Sequence, residues 1–448
     1  MSEQYPGGFI TKDSPNVTTS SAQGLWTLSQ QAGYKQQGLW PPVTVGWMGA
    51  FTTGDTCANY DVQIDSSGNI YAVGWSSTAT AMLVTKVSVT GALQWVKTYS
   101  MPSISDPKGF GTAQQAISYL DSSDNLFFGF PVGYAGGGMI KINSSGVVQN
   151  NMYVNPGFLH IFGGMKGSSN TPTYTTTGLS TTYYWSGFKF NNSLSLTSSW
   201  SIFAGPSNPA AFTVGIDSNG DLWGSGQTGN AAGDSLIAKG PTAIYNRYYQ
   251  TAGAVGYQGG GNVMVGDSSG NMYHTPVISS NYYIIKWNTS GGVVWAKQVA
   301  GGYAQTNGGI MDSSGNLNLL YYASGFNGAQ LVRLDSSGSI VLQQRYSTAT
   351  NCTLYAIKTD PNDGSLVMVG NFGSTARAMI MRIPSTGAPG ESWTVGGQTL
   401  ACATSTVFSL SSASFTTSTL SQASTTPATP TTQTVTTSTP TPTWSKYG

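Results

Sequence analysis

Seventeen acidic residues and two histidines bound the chemistry open to this 448-residue chain. Ten of the acids fall in short Asp/Ser/Gly/Asn clusters: Asp65, Asp121, Asp124, Asp217, Asp221, Asp267, Asp312, Asp335, Asp360 and Asp363. A carboxylate so placed caps its own backbone through an Asx turn. The rival role is a calcium loop, but calcium takes several carboxylate oxygens, and most copies of the cluster offer one. The other seven acids are Glu3, Asp13, Asp55, Asp61, Asp106, Asp234 and Glu391. Cleavage of a polysaccharide requires two carboxylates facing each other across a cleft. Asp61, Asp106 and Asp234 are the candidates, although no spacing pairs them. His160 and His274 are few for a Ser-His-Asp triad or a multi-histidine metal site, and His274 falls at a strand position. Neither a Gly-rich phosphate loop nor a CxxC pair is present. These residues lead to the expectation of a non-enzyme that uses no cofactor.

Three cysteines, Cys57, Cys352 and Cys402, are too sparse for a disulfide framework and read as reduced thiols. Cys57 and Cys352 each precede a cluster aspartate by eight residues. They read as small apolar core residues, with a disulfide between neighbouring repeats as the alternative.

The elements that position these residues come from a repeat. An apolar residue, then Asp-Ser-Ser-Gly-Asn, then an apolar run recurs with leading aspartates Asp65, Asp121, Asp217, Asp267, Asp312 and Asp360. The steps are 56, 96, 50, 45 and 48 residues, so one worn copy lies in the double step, around Pro172 to Trp185. A second phrase follows each first one, as in Leu83 to Tyr99 or Tyr283 to Val299, and is degraded at Leu236 to Tyr249. Gly supplies positive φ in such clusters while Asp, Asn and Ser bond nearby amides, so each phrase is a hairpin. Two hairpins per unit of about 49 residues predict seven four-stranded blades of a β-propeller. The run Ile70 to Trp75 is apolar on both faces, as a sheet stacked between others requires. The propeller is expected over 45–398, with Val43–Phe51 and Ser392–Gly396 as candidate ring-closing strands and no means of choosing between them.

Outside the repeats the composition changes. Residues 1–44 read as an anchor segment with one short helix, capped by Thr27 and stopped by Gly38. Its Trp26, Leu28, Tyr34, Leu39 and Trp40 need an apolar surface, either the flank of the propeller or another protein. Residues 399–448 are rich in Ser, Thr and Pro and read as an extended tail, ordered only if neighbours hold it.

Charged residues are 8% of the chain and the formal net charge is +1. No basic field attracts nucleic acid or anionic lipid, and no apolar run is long enough to span a bilayer. The sequence MSEQYPGGFITKDSPNV carries no export signal. So few charges suit a subunit of an assembly. Tyr-rich stretches, with Tyr183, Tyr184, Tyr248, Tyr249 and Tyr282, are candidates for glycan contact; inter-sheet packing is the other reading.

The phrase apolar-Asp-Ser-Ser-Gly-Asn-Ile-Tyr-x-Val-Gly resembles propeller repeats of virion structural proteins in cyanophages and related tailed phages. The segment from Ala22 to Pro41 is similar to a G-x-W-T-L…G-x-W-P stretch of proteins of the same viruses. The first likeness spans most of the chain and the second some twenty residues. It implies a virion protein of the tail or a fibre, present in several copies, assembled in the host cytoplasm and held to other virion proteins by its termini. Host attachment through a surface glycan follows as its role. A capsid decoration or vertex protein is the runner-up; a propeller lectin or adhesin and a polysaccharide depolymerase are alternatives of other classes. The family brings no catalytic residues to this chain.

Overall fold

A computed structural model describes residues 46–51, 56–101, 117–131, 137–154, 160–168, 171–178, 184–203, 210–227, 235–240, 244–249, 263–278, 281–300, 303–323, 327–373, 377–395, 398–414, 416–419, 434–440 and 444–447. The predicted helix, and with it Trp26, Leu28, Tyr34, Leu39 and Trp40, lies outside them. The described residues form β-strands and turns without a helix.

Hairpin pairing turns the repeat into antiparallel sheets. The first sheet takes Cys57–Ile64, Ile70–Ser76, Ala81–Val87 and Leu93–Ser100. The second takes Ser118–Leu120, Leu126–Pro131, Gly137–Ile142 and Val148–Val154. The worn repeat forms the third: His160–Ser168, Thr171–Gly178, Tyr184–Phe190 and Leu196–Phe203. The fourth is Ala210–Ile216, Leu222–Gln227, Ser235–Gly240 and Ile244–Tyr249, so the degraded second phrase still pairs. The fifth is Met264–Gly266, Met272–His274, Asn281–Trp287 and Val293–Ala300. The sixth is Tyr303–Met311, Leu317–Ala323, Gly328–Leu334 and Ile340–Thr348. The seventh holds Cys352–Thr359, Leu366–Phe372 and Arg377–Ile383, and next to these Trp47–Phe51 from the other end of the chain. Of the two candidate closing strands it is therefore the N-terminal one that enters the last sheet, with Trp47 opposite Arg382 and Ala50 opposite Met379. Ser392–Val395 instead forms a hairpin with Gln398–Thr404 on the outside of the sixth sheet.

The sheets pack face to face, and for that reason second strands such as Ile70–Ser76 are buried on both sides. First strands of successive sheets lie side by side, and Cys352–Thr359 of the seventh packs beside Cys57–Ile64 of the first. The crowding fixes glycine at Gly74, where a Cβ would sit 1.8 Å from the carbonyl oxygen of Ala58. The architecture is all-β and propeller-like.

The Ser/Thr-rich tail departs from expectation. Rather than waiting for outside neighbours, its described parts add strands to this chain's own sheets. Gln398–Thr404 pairs with the outer strand of the sixth sheet, Ser409–Ala413 with that of the fifth, and Thr416–Thr419 with that of the fourth. Thr436–Ser438 pairs with the outer strand of the first, and Trp444–Tyr447 with Trp47–Phe51 in the seventh. Each outer edge exposes unpaired N–H and C=O groups, and backbone pairing needs no particular side chain. Hydroxyl-bearing residues that cannot build a core can therefore still order along such edges.

Candidate functional site

The repeat aspartates sit where the sequence places them, in the turn between first and second strands. Asp65 Oδ1 accepts from the amides of Ser67 at 3.0 Å and Asn69 at 2.8 Å, and the Asn69 amide group reaches Oδ2 at 2.9 Å. Gly68 provides the left-handed step, φ 79°. Asp121, Asp217, Asp267, Asp312 and Asp360 repeat the pattern of side-chain capping. Where the second repeat has Asp124 instead of glycine, that residue adopts φ 58°. Its carboxylate then takes the Ser66 amide of the first sheet at 3.0 Å and the Ser66 hydroxyl at 2.6 Å.

A feature missed in the sequence completes the cluster. Each of the six aspartates faces a cation from the third strand of its own sheet: Lys86 at 3.3 Å, Lys141 at 3.4 Å, Lys239 at 2.8 Å, Lys286 at 3.7 Å, Arg333 at 3.5 Å and Arg382 at 2.9 Å. Cross-strand register sets the lysines over aromatic rings: Lys86 over Tyr71, Lys141 over Phe127, Lys239 over Trp223 and Lys286 over Tyr273. Arginine changes the partner, because Arg333 Nε donates to Asn318 Oδ1 at 2.7 Å. Recurrence 19 to 22 residues after each aspartate was the signal available: 86−65 is 21 and 286−267 is 19.

Burial pushes the Asp217 carboxyl up, but donors from Lys239, Trp223 and the Asp221 amide outweigh it and leave it below the usual carboxylate range. Asp121 is lowered in the same way, burial opposed by Asn125, Ser123 and Lys141. With ammonium or guanidinium groups already at these carboxylates, the turns act as ion-pair cores. Among the described residues no group of three or more His, Cys, Asp or Glu converges.

The same end of several sheets grips the neighbouring one. Lys86 Nζ and Trp95 Nε1 of the first sheet both donate to Ser144 O of the second, at 3.3 and 3.2 Å. Lys141 reaches Asn192 O in the third at 3.0 Å, and Arg333 reaches Ser385 O in the seventh at 2.6 Å. Trp47, in the seventh, donates to Val89 O of the first at 3.1 Å.

Of the three acids weighed as a cleavage pair, Asp106 and Asp234 lie outside the described residues. Asp61 is buried and joins two sheets: Oδ2 accepts from the Ile117 amide at 3.1 Å and from the Ser118 amide and hydroxyl at 2.8 Å, while Oδ1 takes the Val62 amide at 2.8 Å. His160 begins the third sheet. His274 is fully buried, and burial lowers its pKa to about 3. All three cysteines are free and buried, so the disulfide alternative is not formed. Burial pushes the Cys352 thiol up to about 12.

The opposite end of the sheets carries loops of unequal length, from two residues at 301–302 to seventeen at 101–117. Four of the five candidate tyrosines belong near it. Tyr183 is outside the described residues, Tyr184 opens a third strand, and Tyr248 and Tyr249 close a fourth strand opposite Thr417 and Thr416. Tyr282 is half-buried against the core of the fifth and sixth sheets, which raises its pKa.

No protein-family model matches the chain, and no curated protein matches it. Solved structures of similar fold include the virginiamycin B lyase of Staphylococcus aureus, crystallised as an inactive variant with quinupristin. It is 12% identical, with 76% of this chain and 100% of that one covered and a TM-score of 0.49. The NanB sialidase of Streptococcus pneumoniae is 11% identical over 75% of this chain and 70% of its own, with a TM-score of 0.40. A neuraminidase-like protein of a flat-faced bat isolate is 9% identical, covers 62% and 90%, and has a TM-score of 0.37. The lyase and the sialidase are enzymes by name, so the expectation of a non-enzyme is withdrawn; at these identities the likeness speaks to the fold alone. The basis of that expectation was that no spacing pairs the acids outside the turns, that the chain has two histidines, and that it has no phosphate loop or CxxC pair.

Proposed function

We propose that the seven sheets are the four-stranded blades of a closed seven-bladed β-propeller. We further propose that the chain is a virion protein of a tailed phage, at the tail or a fibre, presenting its uneven-loop end to a glycan or receptor on the host surface. The supporting observation is the contrast between the two ends of the sheets. One end is uniform, with buried ion pairs and inter-sheet hydrogen bonds holding short turns. The other bears loops that differ from sheet to sheet. A rigid scaffold with variable loops at one end is the usual arrangement for recognition. The repeat phrase and the Ala22–Pro41 segment supply the link to phage particles. Because the described parts of the tail lie on the chain's own sheets, attachment to other virion proteins falls to residues 1–44 in this reading.

The test is a density map of the intact particle together with binding of the purified chain to host cells. Density for the sheets at the tail or a fibre, and saturable binding reduced by replacing the exposed loop at 77–80 with a short Gly-Ser turn, are expected. Density at a capsid vertex would move the protein to the runner-up position; absence from the particle would overturn the reading.

A further inference from the structure

Asparagine precedes glycine three times in the chain, at Asn219–Gly220, Asn307–Gly308 and Asn327–Gly328. Such a pair has a chemistry of its own. Glycine has no Cβ to shield its amide nitrogen, and that nitrogen attacks the asparagine side-chain carbonyl carbon when the two meet. The fold sorts the three pairs. Asn307 is buried in Tyr303–Met311, its Nδ2 donates to Leu354 O at 3.0 Å, and Gly308 pairs with Leu320. Asn327 is exposed, but its carbonyl accepts from the Thr348 amide at 3.0 Å, and Gly328 heads a buried strand opposite Ser347. The Tyr346 carbonyl oxygen lies 1.9 Å from where a Cβ of residue 328 would be, so that backbone has no room to turn.

Asn219 differs from both because it lies in a turn, the Asp-Ser-Asn-Gly-Asp of the fourth sheet. It is exposed, and among the described residues its side chain makes no hydrogen bond. Gly220 takes φ 78°, and its amide donates to Asp217 O at 3.0 Å. Four other repeats place serine at this position, Ser67, Ser123, Ser269 and Ser314, and serine has no carbonyl carbon to attack.

We propose that Asn219 is a site of spontaneous deamidation. Gly220 N bonds to Asn219 Cγ, the Cγ–Nδ2 bond breaks, and ammonia leaves with the amide proton. Water then opens the succinimide at one carbonyl or the other, giving aspartate or an isoaspartyl link with one more carbon in the main chain. Asp217 and Asp221 already share Lys239, at 2.8 and 3.1 Å, so either product adds a third acid to one lysine. The isoaspartyl link also displaces the amides of residues 219 and 221 from Asp217 Oδ1, which they reach at 2.9 and 3.0 Å. The change touches a seam between sheets, since a Cβ at Gly270 of the fifth would meet Ser218 Oγ at 3.4 Å and Asn219 Nδ2 at 3.8 Å. The fourth sheet thus carries a mark of the molecule's age.

The full chain is incubated folded in oxygen-18 water, which labels each opened succinimide, then digested and read by mass spectrometry. Label is expected at 219 at least about tenfold faster than at 307 or 327, where reaction waits on opening of the sheet. Asn219→Ser is expected to remove that label and to keep its Tm through an incubation that lowers the Tm of the parent chain. Label at 307 or 327 as early as at 219, or none at 219, would overturn the proposal, as would an equal fall of Tm in Asn219→Ser.

Discussion

At the level of single residues, the repeat turns are polar cores of one composition used six times. Removing one member of a buried ion pair leaves the other charge uncompensated and costs about 3–5 kcal/mol. Asp217→Ala, beside Lys239 at 2.8 Å, is expected to fall in that range by chemical denaturation. Asp267→Ala, whose pair is longer at 3.7 Å and less buried, is expected to lose less. Acid should act through the same groups. The folded Asp121 and Asp217 carboxyls lie below their ordinary value, so their stabilisation is present above about pH 4 and is lost as pH falls below it toward the lowered folded values. His274 works over a higher window. Its neutral form is favoured by burial and its folded pKa is about 3, so the unfolded chain binds the proton first, and stability falls as pH drops from about 6.5 toward 3. His274→Leu is expected to flatten that part of a stability-against-pH curve. Much of this was legible: the Asx role follows from Asp-Ser-Ser-Gly-Asn itself. The cations were not found because Lys86 or Arg333 in an apolar strand looks like an ordinary interruption until the strands are aligned in register.

For the elements, the tail is the informative case. Ser and Thr runs predict little order because they offer no apolar face, yet backbone donors and acceptors suffice when an open strand edge is near. Side chains matter at its last described strand. Trp444 lies over Gly49, where an added Cβ would meet its ring, stacks edgewise on Phe51 at 5.2 Å, and donates from Nε1 to Gly91 O at 3.3 Å. Trp444→Ala is expected to cost about 2–3 kcal/mol, below a fully buried tryptophan because the ring is part-exposed. Thermal melting of that variant beside a chain ending at 440 checks whether the ring accounts for most of what the last strand contributes. A chain ending at 404 should lose more and be cut faster by protease along the exposed outer edges.

On the scale of the whole molecule, the seventh sheet depends on a strand from far earlier in the chain, Trp47–Phe51. The period of the repeat announced four strands per unit, but the choice between Val43–Phe51 and Ser392–Gly396 lay beyond it, since both are short apolar runs next to glycine. The contacts decide: Trp47–Phe51 is buried throughout and bonded on both edges, to Arg377–Ile383 and to Trp444–Tyr447. A chain beginning at 45 is therefore expected to keep cooperative unfolding, whereas one beginning at 52 should melt at least several degrees lower or fail to fold, as circular dichroism would show. If the shorter deletion still enters particles at the normal level, the anchoring role proposed for residues 1–44 is wrong.

The position of that strand also sets a clock for biosynthesis. Trp47–Phe51 leaves the ribosome about 330 residues before its partner Arg377–Ile383, which at roughly 5–20 residues per second is a delay of about 15–70 s. Throughout translation of the intervening sheets the nascent chain carries an unsatisfied apolar ribbon, Trp-Met-Gly-Ala-Phe. Crowded polysomes would bring several such ribbons together before any one molecule could finish. Yield of native protein should therefore respond to chaperone supply and to the speed of elongation more steeply than its equilibrium stability would suggest.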